Sequence, residues 1–340
     1  MMLMDRGSWR IAVLFAAAAL GGTYLGGADG LRFFAYFGSW GILGILLVSG
    51  GLGWLSYRIL TLSHHLGFRS LHDLLCYWFG EKAAPGLSVL LHLLLLAWAG
   101  TSLGEMALLL NNGNTAWAFA LVPVLVAVFL LGKGWPVFIR GVTIFLGIGL
   151  LMIASAYIEQ RHIDVPSLGY QLNLQWLVHS LYYFSLHFIS ILVICLPLAS
   201  RASRAHFISH GVVLGSLLFF FTTLLMQGIL LGYWHDIHSS SLPLQTVLAS
   251  IWPGGQWIHA LAVLGCSGIV LAITVYALAS PVALRYDISL TALFVVMMIA
   301  VSIFAFLGVA WPSVGYVIAS ALTYSGLFLV VWLCWKMSKT

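Results

Sequence analysis

The chain has 340 residues, 62% of them hydrophobic and 7% charged, with a net charge of +5. Soluble domains devote roughly a quarter of their residues to charge, so this chain cannot cover a water-exposed globular surface, and its expected partner is the lipid bilayer. Its basic residues are scattered one or two per polar break instead of forming a patch, which argues against a nucleic-acid partner.

A hydrocarbon core about 30 Å thick takes roughly 20 apolar residues per helix. Apolar runs predict ten transmembrane helices, at about residues 9–37, 41–62, 84–110, 116–131, 137–158, 176–199, 207–231, 255–279, 288–307 and 314–336. The first run is followed by glycines and a second apolar half, not by a small-residue cleavage site, so it reads as a retained first helix. Segments 71–79 and 242–252 are too short to span and are expected at the membrane interface. Cys76, Cys195, Cys266 and Cys334 lie in or beside apolar runs without a C-x-x-C pair. They read as reduced packing residues, with neither a metal site nor a disulfide framework.

With both termini in the cytoplasm, twelve of the fourteen Lys and Arg residues fall on the cytoplasmic side, and only Arg32 and Arg161 fall outside. That is the positive-inside bias, and it depends on an even helix count. Loops around Arg69, Lys133, Arg201 and Arg285 are expected inside, and those around Asn112, Asp164, Asp236 and Trp311 outside. No loop is long enough for a second domain, so residues 1–340 read as one transmembrane domain.

Within the first run, residues 21–30 read GGTYLGGADG, with five glycines in ten positions. Each costs about 1 kcal/mol relative to alanine in a helix. A broken backbone at membrane depth survives only where it is buried in protein or lines a cavity. Transporters use such discontinuous helices for substrate and ion sites, although glycines also serve close helix packing.

The segment GGTYLGGADGLRFF, residues 21–34, followed by Tyr36, Phe37, Gly38 and Trp40, resembles the first-helix signature of the YkvI-like bacterial membrane proteins, approximately GAGFASGQEILQFF. Asp29 takes the acidic position and Gly27 the glycine two before it, while Thr23 replaces a glycine and Arg32 a glutamine. The resemblance continues through LSHHLGFRSLHDLLCYWFGEKAAP and Gly100 to Glu105, covering about the first third of the chain. That family is similar to the amino acid, polyamine and organocation transporters and to spore-germination permeases. The resemblance therefore implies an all-α, LeuT-like fold in a bacterial inner membrane, with two inverted five-helix repeats, about 9–158 and 176–336, and breaks in helices one and six.

Asp29 and Glu105 are the acidic residues inside predicted spans. Ionisable groups at that depth cost about 2.5–3.5 kcal/mol and usually face a bundle interior or aqueous cavity. Asp29 also suits an N-cap of the second half-helix, with Arg32 as a partner one turn on. In predicted helix six, Tyr183, Ser185 and His187 form a polar middle, and a midspan histidine can relay protons or simply bond a neighbouring helix. His92 is a weaker candidate, and His179 and His259, near helix starts, are expected at the interface. In LeuT-like proteins hydroxyls of helix eight join carbonyls of helix one around sodium. Here the resemblance points to Ser267 and Thr274, with Cys266 in place of a further hydroxyl.

The expected function is secondary active transport of a small polar solute, an amino acid or related zwitterion above all. Its substrate site would comprise Gly21, Gly22, Thr23, Gly26 and Gly27 with Tyr183, Ser185 and His187. Asp29, Glu105, His187 and Ser267 are the ion-coupling candidates. No cofactor is expected; the coupling ion is a proton or sodium. A second reading is a ligand-sensing receptor or assembly subunit that keeps the transporter fold without net transport. No nucleophile–base pair or metal-ligand cluster suggests an enzyme.

Overall fold

The glycine-dense stretch does break the first helix. The computed structural model describes residues 6–111, 115–160 and 174–337. Helix α1, Arg6–Leu20, ends where Gly21 turns to φ +79°, a left-handed value that costs glycine nothing. A 3-10 turn over Tyr24–Gly26 follows, then Gly27 at φ +80°, and then the six-residue helix α2, Ala28–Phe33. The expected helix through residue 37 stops early, because Phe34 leaves helical geometry and Ala35–Phe37 forms another 3-10 turn.

After α3, Trp40–Leu66, Gly67 at φ +70° closes the helix with a bond from the next amide to Ser63. The following element, α4, Leu71–Leu110, is the predicted interfacial segment joined to the predicted third span across a kink at Gly80 (φ +78°, ψ 166°). Ser70 caps it by accepting from the Asp73 amide at 3.2 Å, while Asp73 accepts from the Arg69 amide at 3.0 Å. The first half of the described chain ends with α5, Ala116–Leu131, and α6, Trp135–Glu159.

Helix α7, Gln175–Ala199, is continuous. The break implied for predicted helix six is therefore absent, for a physical reason: the segment has no glycine to supply the left-handed turn that ends α1. Then come α8, Ala205–Gly232, and two short elements, α9, Trp234–Ile237, and α10, Pro243–Ile251. The chain closes with α11, Gly255–Tyr286, α12, Leu290–Ala310, and α13, Pro312–Met337. Helix α11 runs a turn and more past its expected end, straight through Pro281.

Among the described residues eight helices are long and apolar enough to cross a membrane, with α1 and α5 shorter. This is a multi-pass membrane protein. Apolar side chains such as Phe129, Leu151, Ile158 and Leu261 are each at least 70% exposed, as a lipid-facing surface requires. Arg161 and the loops at Asn112 and Asp164 lie outside the described residues.

The helices pack in matched pairs. Helix α1 lies on α8 as α7 lies on α3, and α4 lies on α12 as α11 lies on α5. Likewise α13 packs on α7 and α4, while α6 packs on α1 and α11. Exchanging α1, α3, α4, α5 and α6 for α7, α8, α11, α12 and α13 maps each of these pairings onto another. Helix ends meet in pairs: His64 meets the Ala199 carbonyl at 3.1 Å and Arg285 meets Asp73 at 3.4 Å. At the opposite end Tyr36 donates to the His238 carbonyl at 2.8 Å.

Candidate functional site

Breaking α1 frees carbonyls that a continuous helix would have used. Distant side chains take them up. Gly21 N–H still bonds Ala17, but the Ala18 carbonyl accepts from His187 Nδ1 at 3.0 Å and Ala19 from the Tyr183 hydroxyl at 2.8 Å. From α11, the Ser267 hydroxyl donates to Gly22 at 2.9 Å, and His259 Nε2 donates to Leu25 at 2.8 Å. Gln227 of α8 donates to Gly38 at 2.8 Å. Because a carbonyl only accepts, these contacts fix the tautomers: His187 carries its proton on Nδ1 and His259 on Nε2.

Two of the cavities beside the break share walls. The outer one, about 210 Å³, lies between α2, the end of α4, α7 and the first turns of α13. Helical spacing builds its walls. Trp98, Ser102 and Glu105 share one face of α4, while Tyr316, Ser320, Thr323 and Tyr324 share one face of α13. Thr23, Asp29, Arg32 and Phe33 come from the broken segment and Tyr182 from α7. The inner cavity, about 50 Å³, is bordered by Gly21 and Gly22 and by Ser190, Ser267 and Thr274. Thr23, Trp98 and Ser102 border both, so the indole of Trp98 stands at the junction.

Asp29 is not the cap: Gly27 occupies that position, and Asp29 sits within the first turn of α2 with its side chain on the cavity. The expected Asp29–Arg32 pair does not form, the ion pair among the described residues being Arg285–Asp73. The Arg32 guanidinium instead lies 5.4 Å from the Phe33 ring centre and 6.0 Å from that of Tyr316. The Glu105 carboxylate is seated on Gly315, where a Cβ would collide with it. Glycine at that position of α13 makes room for the acid.

The broken segment is brought together with α7 as anticipated, but several expected site residues do other work. His187 and Tyr183 are buried and hold α1, with rings stacked at 4.3 Å, and neither borders either of these cavities. Ser185 is fully buried, returns its hydroxyl to Leu181 at 2.7 Å, and has its backbone against Gly326 of α13. A serine in an apolar helix commonly bonds its own preceding turn. Gly26 packs on Met106 of α4 and on Leu242, and Gly27 on Pro243 and Leu244 at the start of α10. His259, expected at the interface, is buried completely.

No family model matches the chain. Over 212 residues it is 20% identical to the uncharacterized membrane protein YkvI of Bacillus subtilis (strain 168), the match spanning 61% of each chain. It is similar to a bacterial membrane protein. The chain thus spans under two thirds of that relative, whose name carries no substrate.

Sequence reasoning missed the α13 wall and the pair Trp98 and Ser102. The signal was present: polar and aromatic residues recur at 316, 320, 323 and 324, and at 98, 102 and 105, on single helical faces of otherwise apolar spans.

Proposed function

We propose that the chain is a secondary active transporter of a small polar solute, with two inverted five-helix repeats of LeuT-like arrangement, in a bacterial inner membrane with both termini cytoplasmic. The observation that carries this reading is the break in the first helix beside two cavities with shared walls. A hydrogen-bonded interruption at membrane depth is what a solute path through a helix bundle needs. The exchange symmetry of the helix pairings supports the repeats, and partners five spans apart run in opposite directions. The α4 segment before Gly80 and the α10 segment before α11 are then repeat equivalents. In this reading α1 with α2, and α5, complete ten spans.

Gly21, Gly22 and Thr23 form the substrate path, and Asp29 and Glu105 are the groups placed to carry a coupling proton. The Ser267 hydroxyl donates to the Gly22 carbonyl, which leaves one carbonyl lone pair and the hydroxyl's own lone pairs for a cation.

The test is counterflow in proteoliposomes preloaded with amino acids or amines, with and without pH and sodium gradients. Gradient-dependent accumulation of one solute class supports transport. Saturable binding without counterflow refutes it and favours the receptor reading.

A further inference from the structure

The outer cavity carries more acidic than basic side chains. Its two carboxylates, Asp29 and Glu105, face a single guanidinium, and Arg32 pairs with neither within 4.0 Å. Two of the wall hydroxyls turn their protons away from the cavity. Ser102 donates to its own helix at Ala99, 3.0 Å away, and Thr323 donates to Ala319 at 2.8 Å. Each has spent its one proton and offers the cavity only lone pairs. Thr23 and Ser320 add further hydroxyls, and Phe33, Trp98, Tyr182, Tyr316 and Tyr324 add aromatic side chains, four of which carry a polar hydrogen of their own.

An ammonium group is the complement of such a wall: it donates three hydrogen bonds, accepts none, and is attracted to ring faces. A volume of about 210 Å³ is an order of magnitude above the roughly 10–15 Å³ that admits one water, so the occupant is a molecule and not a bare ion. We propose that this cavity binds an organic amine, its ammonium held by Glu105 and Asp29 and its carbon skeleton lying against the aromatic wall. A free carboxylate on the ligand would find Arg32 alone as a charged donor, opposed by two acids. The preferred order is therefore amine, then amino acid, then carboxylic acid. The inference rests on the transport reading only for where the solute goes next; binding itself does not require transport.

Matched ligands test it. Purified protein in nanodiscs is titrated calorimetrically with 2-phenylethylamine, phenylalanine and 3-phenylpropionate, and with isopentylamine, leucine and 4-methylpentanoate, each set keeping one skeleton. The amine should bind at least tenfold more tightly than the acid in one set or both. Glu105→Gln should weaken amine binding about tenfold or more, whereas Arg32→Gln, which removes a like charge, should leave it at least as tight. Asp29→Asn provides a second acid variant if Glu105→Gln proves poorly folded. Acids binding as well as amines, no amine binding by folded protein, undiminished affinity in the acid variants, or weakened affinity in Arg32→Gln would each overturn the proposal. Amine binding without counterflow would leave it standing and remove the transport reading, while counterflow of zwitterions without amine binding would do the reverse.

Discussion

Replacing Tyr183 with Phe removes one oxygen and nothing else, which makes it a clean measure of what holds the broken helix. The hydroxyl donates to the Ala19 carbonyl at 2.8 Å, and both residues are buried, Tyr183 at 3% exposure and Ala19 at none. Ala19 lies in the last turn of α1, so no amide follows on the helix to take its carbonyl once Gly21 has turned away. An orphaned buried acceptor costs about 1–3 kcal/mol. The phenyl ring keeps its stacking on His187 and its contacts with Phe33 and Phe34, so no packing loss is added. Tyr183→Phe should therefore destabilise by about 2 kcal/mol. Ser185→Ala on the same helix loses only a bond to the preceding turn and should fall within about 0.5 kcal/mol of the parent. Reversible unfolding in mixed detergent–SDS micelles, followed by tryptophan fluorescence, would read both. Equal effects, or a Tyr183→Phe cost below about 0.5 kcal/mol, would refute the view that side chains from α7 pin the break.

At Gly22 an added Cβ would lie 2.9 Å from the backbone Cα of Ser267, whereas at Gly26 it meets the flexible ends of Met106 and Leu242 at 3.0 and 3.3 Å. Gly22→Ala should sharply lower the yield of monodisperse protein on size exclusion, and Gly26→Ala should change it little. Trp98→Ala should join the two cavities, so that a cysteine placed at Ser190 is labelled faster by a membrane-impermeant thiol reagent added outside; an unchanged rate would show that the indole is not the barrier. Cysteines at Arg69, Lys133, Arg201 and Arg285 should be labelled only from the cytoplasm and those at Asp236 and Trp311 only from outside, and two reversals would remove the proposed topology.

What was legible in the sequence is local. Spans follow from apolar length, and the break follows from glycine density, because a left-handed turn at Gly21 and Gly27 is a property of those residues themselves. The merging of 71–79 with the third span was not legible, since helical pairing resumes directly beyond Gly80 and the chain kinks there without an intervening loop. The partners of the freed carbonyls were not legible either. His187 and Ala18 are 169 residues apart, and His259 and Leu25 are 234 apart, and no periodicity encodes such a meeting. The acidic residues on the cavity stood out in the sequence because a carboxylate is rare in a span, whereas Tyr316 or Ser320 is ordinary there until the cavity gathers them.

The division of labour among polar groups follows from this. A midspan histidine attracts attention as a proton carrier, yet His187 spends its N–H on Ala18 and is enclosed by the Tyr183 ring at 4.3 Å and the Trp98 edge at 5.6 Å. His259 likewise spends its N–H on Leu25 in a fully buried position. Both supply what a broken helix lacks, a donor for a carbonyl with no amide of its own. Asp29 and Glu105 border a cavity that opens between helix ends, where water or a ligand can reach them. The histidines hold the ends of the break, and the acids beside it line the cavity. In the proposed transporter the carboxylates are therefore the groups for coupling, and the histidines serve as donors to the broken backbone.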